Sequence, residues 1–224
     1  MRVIHTAYLT DDDRVAIRGL LDATFERMTD AAYENALGGM HVLLSADGEL
    51  VGHASLVQRR IIYAGDSLRA GYVEAVAVHA DHRRLGYGAL MMSELEQVLR
   101  SAYDLGALGA SHDGARLYAA RGWQLWRGPS AALTPDGVRR TADKDGWIYV
   151  LPVSRELDLS AELVCDWRPG ELWLTSGVIQ LAGSGPVSQM PFGTRPKCSE
   201  CPARDAAAGA YGPDNVMVYR FVRT

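Results

Sequence analysis

The stretch Gly71-Tyr-Val-Glu-Ala-Val-Ala-Val-His79, running straight into Ala80-Asp-His-Arg-Arg-Leu-Gly-Tyr-Gly-Ala-Leu90, decides the reading of this chain. Its first half is apolar apart from Glu74 and reads as a buried strand. Its second half places Gly86 and Gly88 ahead of an amphipathic run, so it reads as a turn that opens a helix. A strand feeding such a turn makes an anion cradle, because backbone N–H groups point inward and the helix N-terminus adds partial positive charge. Arg83, Arg84, Leu85, Gly86, Tyr87, Gly88 and Ala89 carry the spacing Arg-x-x-Gly-x-Gly. Glycine belongs where backbone must approach a pyrophosphate, since a Cβ would block it.

Upstream of this stretch, Arg2–Leu9 reads as a strand. Thr10 followed by Asp11, Asp12 and Asp13 reads as a helix start, with Ile17, Leu20, Leu21 and Met28 at helical spacing behind it. A short helix over Ala31–Ala36 ends at Gly38-Gly39. Met40–Ser45, the turn Ala46-Asp-Gly48 and Leu50–Arg60 form a hairpin, and a second turn around Ala64-Gly65-Asp66 leads into the deciding strand. Downstream, Leu85–Ala102 is the clearest helix, with Met92, Leu95, Leu99 and Ala102 on one face. Strands are expected at Leu105–Ala110, Trp123–Trp126, Ala131–Thr134, Trp147–Val153 and Leu163–Cys165, and a short helix at Gly114–Arg121. The class is α+β with a mixed sheet flanked by helices. Beyond Trp173 glycine and proline are dense and no period persists. Residues 1–173 therefore read as one domain and 174–224 as a loop-rich C-terminal extension, with a terminal strand at Val216–Val222.

At 224 residues the chain can bury one good core and an appendage. Its 23 Lys and Arg against 27 Asp and Glu give a formal charge of −4, which argues against nucleic-acid binding and suits a polycationic small substrate. No apolar run reaches the roughly 18–20 residues that a membrane span needs. The first residues lack a secretory apolar core, and three cysteines make no complete disulfide framework, so a cytoplasmic setting is expected. Cys198-Ser-Glu-Cys201 has no second cysteine pair and no nearby histidine, so no metal is expected. Cys165 and the scattered histidines read as core or surface residues.

The 71–90 segment resembles the acetyl-CoA site of the GCN5-related N-acetyltransferases, whose sheet splays. That resemblance implies that Val76, Ala77 and Val78 pair with the pantetheine arm as an added strand would, and that Arg83 to Ala89 hold the pyrophosphate of acetyl-CoA, the co-substrate. Ala115-Arg-Leu-Tyr-Ala-Ala-Arg-Gly-Trp123 is similar to a second shared segment, whose tyrosine, here Tyr118, protonates the departing thiolate. An acid at the position of Glu74 acts as the base in related enzymes, often through water.

A closer resemblance runs from about His5 to Trp173, to the aminoglycoside 2′-N-acetyltransferases. It is carried by Leu37-Gly-Gly-Met-His41, Gln58-Arg-Arg60, Gly71-Tyr-Val-Glu74, Ala102-Tyr-Asp-Leu-Gly-Ala-Leu108, Leu117-Tyr-Ala-Ala-Arg-Gly-Trp123 and Cys165-Asp-Trp-Arg-Pro-Gly-Glu-Leu-Trp173. It implies direct acetyl transfer to the 2′-amine of an aminoglycoside, an antibiotic-resistance reaction without a covalent enzyme intermediate. A ligand with several ammonium groups calls for an acidic pocket, so Glu74, Ala75, Asp143, Lys144, Asp166, Glu171 and Trp173 are the substrate-side candidates, with Asp145 beside them. The family also contains homodimers.

Two departures bear on the substrate. The family ends at a tryptophan matching Trp173, whose terminal carboxylate meets a substrate amine, whereas this chain continues. Arg27 and Lys144 stand in loops where the family is more acidic, which opens the way to a carboxylate-bearing drug such as kasugamycin. The other readings are an acetyltransferase for a different small amine and a non-catalytic acetyl-CoA-binding protein.

Overall fold

The path of the chain is set by two hairpins whose turns are written in short polar sequence. A computed structural model describes residues 1–110, 114–170 and 172–173. Strand β1 (Arg2–His5) pairs antiparallel with β2 (Met40–Ala46), which turns through Asp47 and Gly48 into β3 (Glu49–Tyr63). Both turn residues have positive φ, 52° and 87°, the conformation that matches the right-handed twist of a two-residue hairpin. Ala64 and Gly65 repeat the device, at 52° and 87°, before β4 (Asp66–Val78).

The first helix, α1 (Asp11–Thr24), starts where a hydroxyl and acids lead one to look. Thr10 Oγ1 accepts from the Asp13 N–H and Asp13 Oδ2 accepts from the Thr10 N–H, both at 3.1 Å, a reciprocal cap worth about 1 kcal/mol. α1 and the short α2 (Asp30–Asn35) cover one face of the sheet, where Ile17, Leu20 and Leu21 pack with Leu43, Ala75 and Ala77. The long α3 (Tyr87–Ala102) and α4 (Ala115–Ala120) cover the other, where Met91, Met92, Leu95 and Leu99 pack with Val42, Leu56 and Val73.

Between these helices runs β5 (Leu105–Gly109); after α4 come β6 (Gln124–Leu125), β7 (Ser130–Thr134), β8 (Gly137–Arg140), β9 (Ile148–Pro152) and β10 (Leu163–Cys165). The sheet order is β6-β9-β5-β4-β3-β10-β7-β8, with β1 and β2 on the free edge of the first part of β3. Strand β3 is long enough for two neighbours on that edge, β2 along Glu49–Leu56 and β10 along Ile61–Tyr63. A third apolar cluster, with Tyr72, Trp126, Leu163 and Trp173, fills the β10 end.

The sheet is mixed and splayed. Strands β4 and β5 run parallel and pair at three positions only, Ala70 with Leu105, Gly71 with Gly106 and Tyr72 with Ala107. The helix side of this pairing is tightly filled: a Cβ on Gly106 would sit 2.5 Å from Leu99 Cδ1 of α3 and 2.8 Å from Trp123 Cη2. Past Tyr72 the two strands part, while β4 stays on β3 as far as Val78.

Three expectations change. The first strand stops at His5, because Thr6–Tyr8 turn as a 3-10 helix that brings Thr6 back against Gly39. The long helix begins at Tyr87, leaving Leu85 exposed in the turn. Strand β8 was not anticipated; its four residues are all exposed and carry no period, and pairing with β7 alone makes it a strand. The extension 174–224, its expected strand at Val216–Val222 and the Cys198/Cys201 pair lie outside the described residues. Among the described residues no helix is long and apolar enough to cross a membrane.

Candidate active site

Strand β4 carries Glu74 to Val78 past its last pairing with β5 at Tyr72. Glu74 and Ala75 sit where β4 bulges: Ser55 faces Glu74 and His53 faces Ala77, so Ala75 and Val76 stand against Ala54 alone. The packing records the slip. Val73, Val76 and Val78 turn toward α3, whereas Ala75 and Ala77 turn toward α1. Ala75 has φ 49°, a left-handed conformation costly for a residue with a Cβ. Two consecutive residues, Glu74 and Ala75, thereby leave the regular alternation.

Glu74 is 1% exposed. Burial pushes its carboxyl pKa up, and the charge of Arg168, its hydrogen bond and the charge of Arg59 oppose that rise. Arg168 Nη1 donates to Glu74 Oε1, and the arginine's side chain is itself largely buried. Both arginines lie over the Tyr72 ring, Arg59 at 4.9 Å and Arg168 at 5.4 Å from its centroid. Beside them, Tyr72 Oη and Trp173 Nε1 are buried with no hydrogen-bond partner among the described residues.

Asp166 has a different position from a free acid in a pocket. Its Oδ1 accepts from Arg59 Nε at 2.7 Å and its Oδ2 from the Arg60 N–H at 2.9 Å. Arg59 also donates to the carbonyls of Asp166 and Leu172. This network ties the 166–173 segment to the gap on β3 between β2 and β10, and buries Trp173 completely. Asp143 is exposed and pairs with Lys144 at 3.5 Å, while Asp145 is held by Arg140 and Ser130. Glu171 lies outside the described residues.

At the end of β4 the turn before α3 has the form of a cradle. His79 N–H donates to the Val51 carbonyl and Arg83 Nε to the Val78 carbonyl, at 2.9 and 3.2 Å. Arg84 (φ 62°) and Gly86 (φ 83°) are both left-handed. Gly86 caps α3 with no side-chain acceptor, so the first amides of a 16-residue helix, at Tyr87, Gly88 and Ala89, are left for something else. Nothing lies within 4 Å of where a Gly86 Cβ would stand, so the space over the turn is open. Arg83, Arg84 and Leu85 are exposed at its rim. Val76, Ala77 and Val78 continue β4 beyond its last contact with β5. An extended arm with a diphosphate end fits both features.

Tyr118 packs on the α3 side with Trp123 and Tyr149, 3% exposed. Burial raises its pKa, which keeps the phenol protonated at neutral pH. Its segment is fastened to α3 by Glu96, whose carboxylate accepts two bonds from Arg121 at 2.8 Å and one from Trp123 Nε1 at 2.9 Å. Sequence reading missed Arg168, Arg59, Tyr72, Glu96 and the histidines behind Ala75. Only Glu74, a carboxylate in an otherwise apolar strand, gave a signal, since it demands a cation that the sequence does not point to. Among the described residues no cluster of three or more metal-ligating side chains exists.

The model of the Acetyltransferase (GNAT) family matches residues 7–123. A relative, the aminoglycoside 2′-N-acetyltransferase of Mycolicibacterium fortuitum, is 46% identical over 177 residues, covering 77% of this chain and 91% of that one. A GNAT family N-acetyltransferase of Escherichia coli, YhbS, solved in complex with CoA, shares the fold with a TM-score of 0.50 at 18% identity, over 75% of this chain and 88% of that one.

Proposed function

This chain belongs to the GNAT acetyltransferase family, and on that premise we propose that it moves acetyl from acetyl-CoA directly to the 2′-amine of an aminoglycoside. The observation that carries the substrate is the 46% identity, across most of both chains, to an enzyme named for that reaction. The buried Glu74 at the split supports it, because a polyamine calls for a carboxylate and its attacking nitrogen must be neutral.

Acetyl-CoA supplies an activated acyl group; the protein's work is to align it and to move two protons. The uncapped amides at Gly86–Ala89 receive the diphosphate and β4 residues 76–78 pair with the arm. Glu74 lies on the Tyr72 face of the sheet and Tyr118 on the α3 face, so the split lets an amine on one side reach an acyl group on the other. Glu74, its pKa raised by burial, takes the amine proton directly or through water. Tyr118, held protonated, gives a proton to the leaving thiolate. We also place the end of the catalytic domain at Trp173, which closes the third apolar cluster, with 174–224 as an extension.

The test is thiol release from acetyl-CoA with gentamicin-type drugs, kasugamycin and simple polyamines, with product mapping by NMR. Acetylation at the 2′-nitrogen is the expected result. Turnover confined to kasugamycin or to simple amines would replace the substrate, and tight acetyl-CoA binding without turnover would replace the activity.

A further inference from the structure

Behind the bulge runs a line of buried polar contacts that acetyl transfer does not use. Thr6 Oγ1 accepts from the Gly38 and Gly39 N–H groups at 2.8 and 3.1 Å and lies 2.7 Å from His41 Nε2. His41 Nδ1 lies 3.0 Å from His53 Nε2, and His53 Nδ1 lies 2.9 Å from the Ala75 carbonyl oxygen. Both imidazoles are 0% exposed. The chain crosses three strands, β2, β3 and β4, and ends on the one residue of β4 with left-handed φ.

Its direction is forced. A carbonyl only accepts, so His53 carries its proton on Nδ1. A neutral imidazole has one N–H, so His53 Nε2 accepts and His41 must donate from Nδ1. His41 Nε2 is then left to accept from the Thr6 hydroxyl, which lies nearer to it (2.7 Å) than to its other acceptor, the Gly39 carbonyl (3.1 Å). Each ring is held as the Nδ1–H tautomer, the less common form of a free neutral histidine. A second proton on His53, at Nε2, would face the His41 Nδ1–H, and burial holds both rings neutral, with pKa values lowered to about 3 and about 4.

The far end explains what the chain holds. The bulge removes Ala75 from the β3 ladder, so its carbonyl would be an unpaired buried acceptor. His53, from the opposing strand, replaces the missing ladder donor, and Ser55 Oγ donates to the neighbouring Glu74 carbonyl at 3.3 Å. We propose that Thr6, His41 and His53 form a positioning chain that clamps the Ala75 carbonyl and so fixes the bulge from which Glu74 is presented. The kinetic part of this inference rests on the acetyl-transfer reading above; the rest does not.

The test has two arms. In the wild-type protein, long-range 1H–15N NMR of labelled histidines should show His41 and His53 both as Nδ1–H tautomers from about pH 6 to about pH 8, without titrating. An Nε2–H signal at His53 overturns the inference outright. In kinetics, His53→Asn keeps a donor near the Nδ1 position and His53→Phe removes it. His53→Phe should lower kcat roughly 10- to 100-fold with KM for the amine little changed, and His53→Asn should recover most of that loss. Equal rates in both variants and the wild type overturn it. If the wild type acetylates no aminoglycoside, the substrate reading fails by itself, and the tautomers still decide the inference.

Discussion

A carboxylate inside an apolar strand announces itself because burial without a partner costs several kcal/mol. That is why Glu74 stands out in the sequence and Arg168 does not: the arginine lies 94 residues on, in a polar stretch with no period, and only the return of the chain past β10 brings it to Tyr72. The Thr6–His41–His53 line is hidden for the same reason, since isolated histidines in strands look like ordinary core residues. If Glu74 is the base, Glu74→Gln should lower kcat/KM by about 10²- to 10⁴-fold in steady-state assays, with coenzyme A affinity unchanged by calorimetry. Arg168→Met should move the acidic limb of the kcat/KM–pH profile upward. The sign follows from the pair: the guanidinium favours the ionised carboxylate, so without it burial alone acts and the pKa rises further. An unmoved limb would assign the profile to another group. Tyr118→Phe should reduce kcat by about tenfold or more and leave the affinity for coenzyme A as it was.

Elements with local causes were legible. The cap at Thr10, the turns at Asp47-Gly48 and Ala64-Gly65 and the face of α3 are each written within a few neighbouring residues. What was not legible depends on pairing. The bulge at Ala75 leaves no mark, because a strand buried on both faces has no alternation to interrupt. Strand β8 is strand only because β7 lies beside it. The cradle is an intermediate case: Gly86 and Gly88 were visible, but their work differs. Gly86 needs a left-handed φ and open space above it, whereas a Cβ on Gly88 would stand 3.3 Å from Leu117 Cδ2, which makes Gly88 also a packing residue for α4. Gly86→Ala should therefore cost about 1 kcal/mol in stability through backbone strain alone. Its loss in coenzyme A affinity should exceed that, because the strain falls where the first amides of α3 meet the ligand. Thermal unfolding and titration of the same variant separate the two, and equal losses would mean that the amides are not the contact.

At the scale of the molecule the sheet is a compromise between pairing and opening. Strand β4 gives up β5 after Tyr72 and keeps β3 to Val78, so the ligand-facing half of the sheet depends on β3 and on what β3 places behind the bulge. That support is polar and titratable, and it should appear in stability. The unfolded chain protonates His41 and His53 near their ordinary pKa of 6.5, whereas the folded protein resists until about pH 3 and about pH 4. Between these limits the unfolded state binds more protons, so stability falls as pH falls, by about 2 kcal/mol for each imidazole at about pH 5. Glu74 works in the other direction, because its raised pKa lets the folded state hold a proton that the unfolded state has lost. The total slope therefore mixes both, and the histidine part is isolated by difference. Urea unfolding at about pH 7 and about pH 5 should show that His53→Asn removes about 2 kcal/mol of the wild type's pH-dependent loss. The same variant should show a lower stability than the wild type at neutral pH, because His41 loses its partner. A variant that keeps the full slope would mean that His53 takes up its proton in the folded protein, and the chain of tautomers behind Ala75 would then have no forced direction.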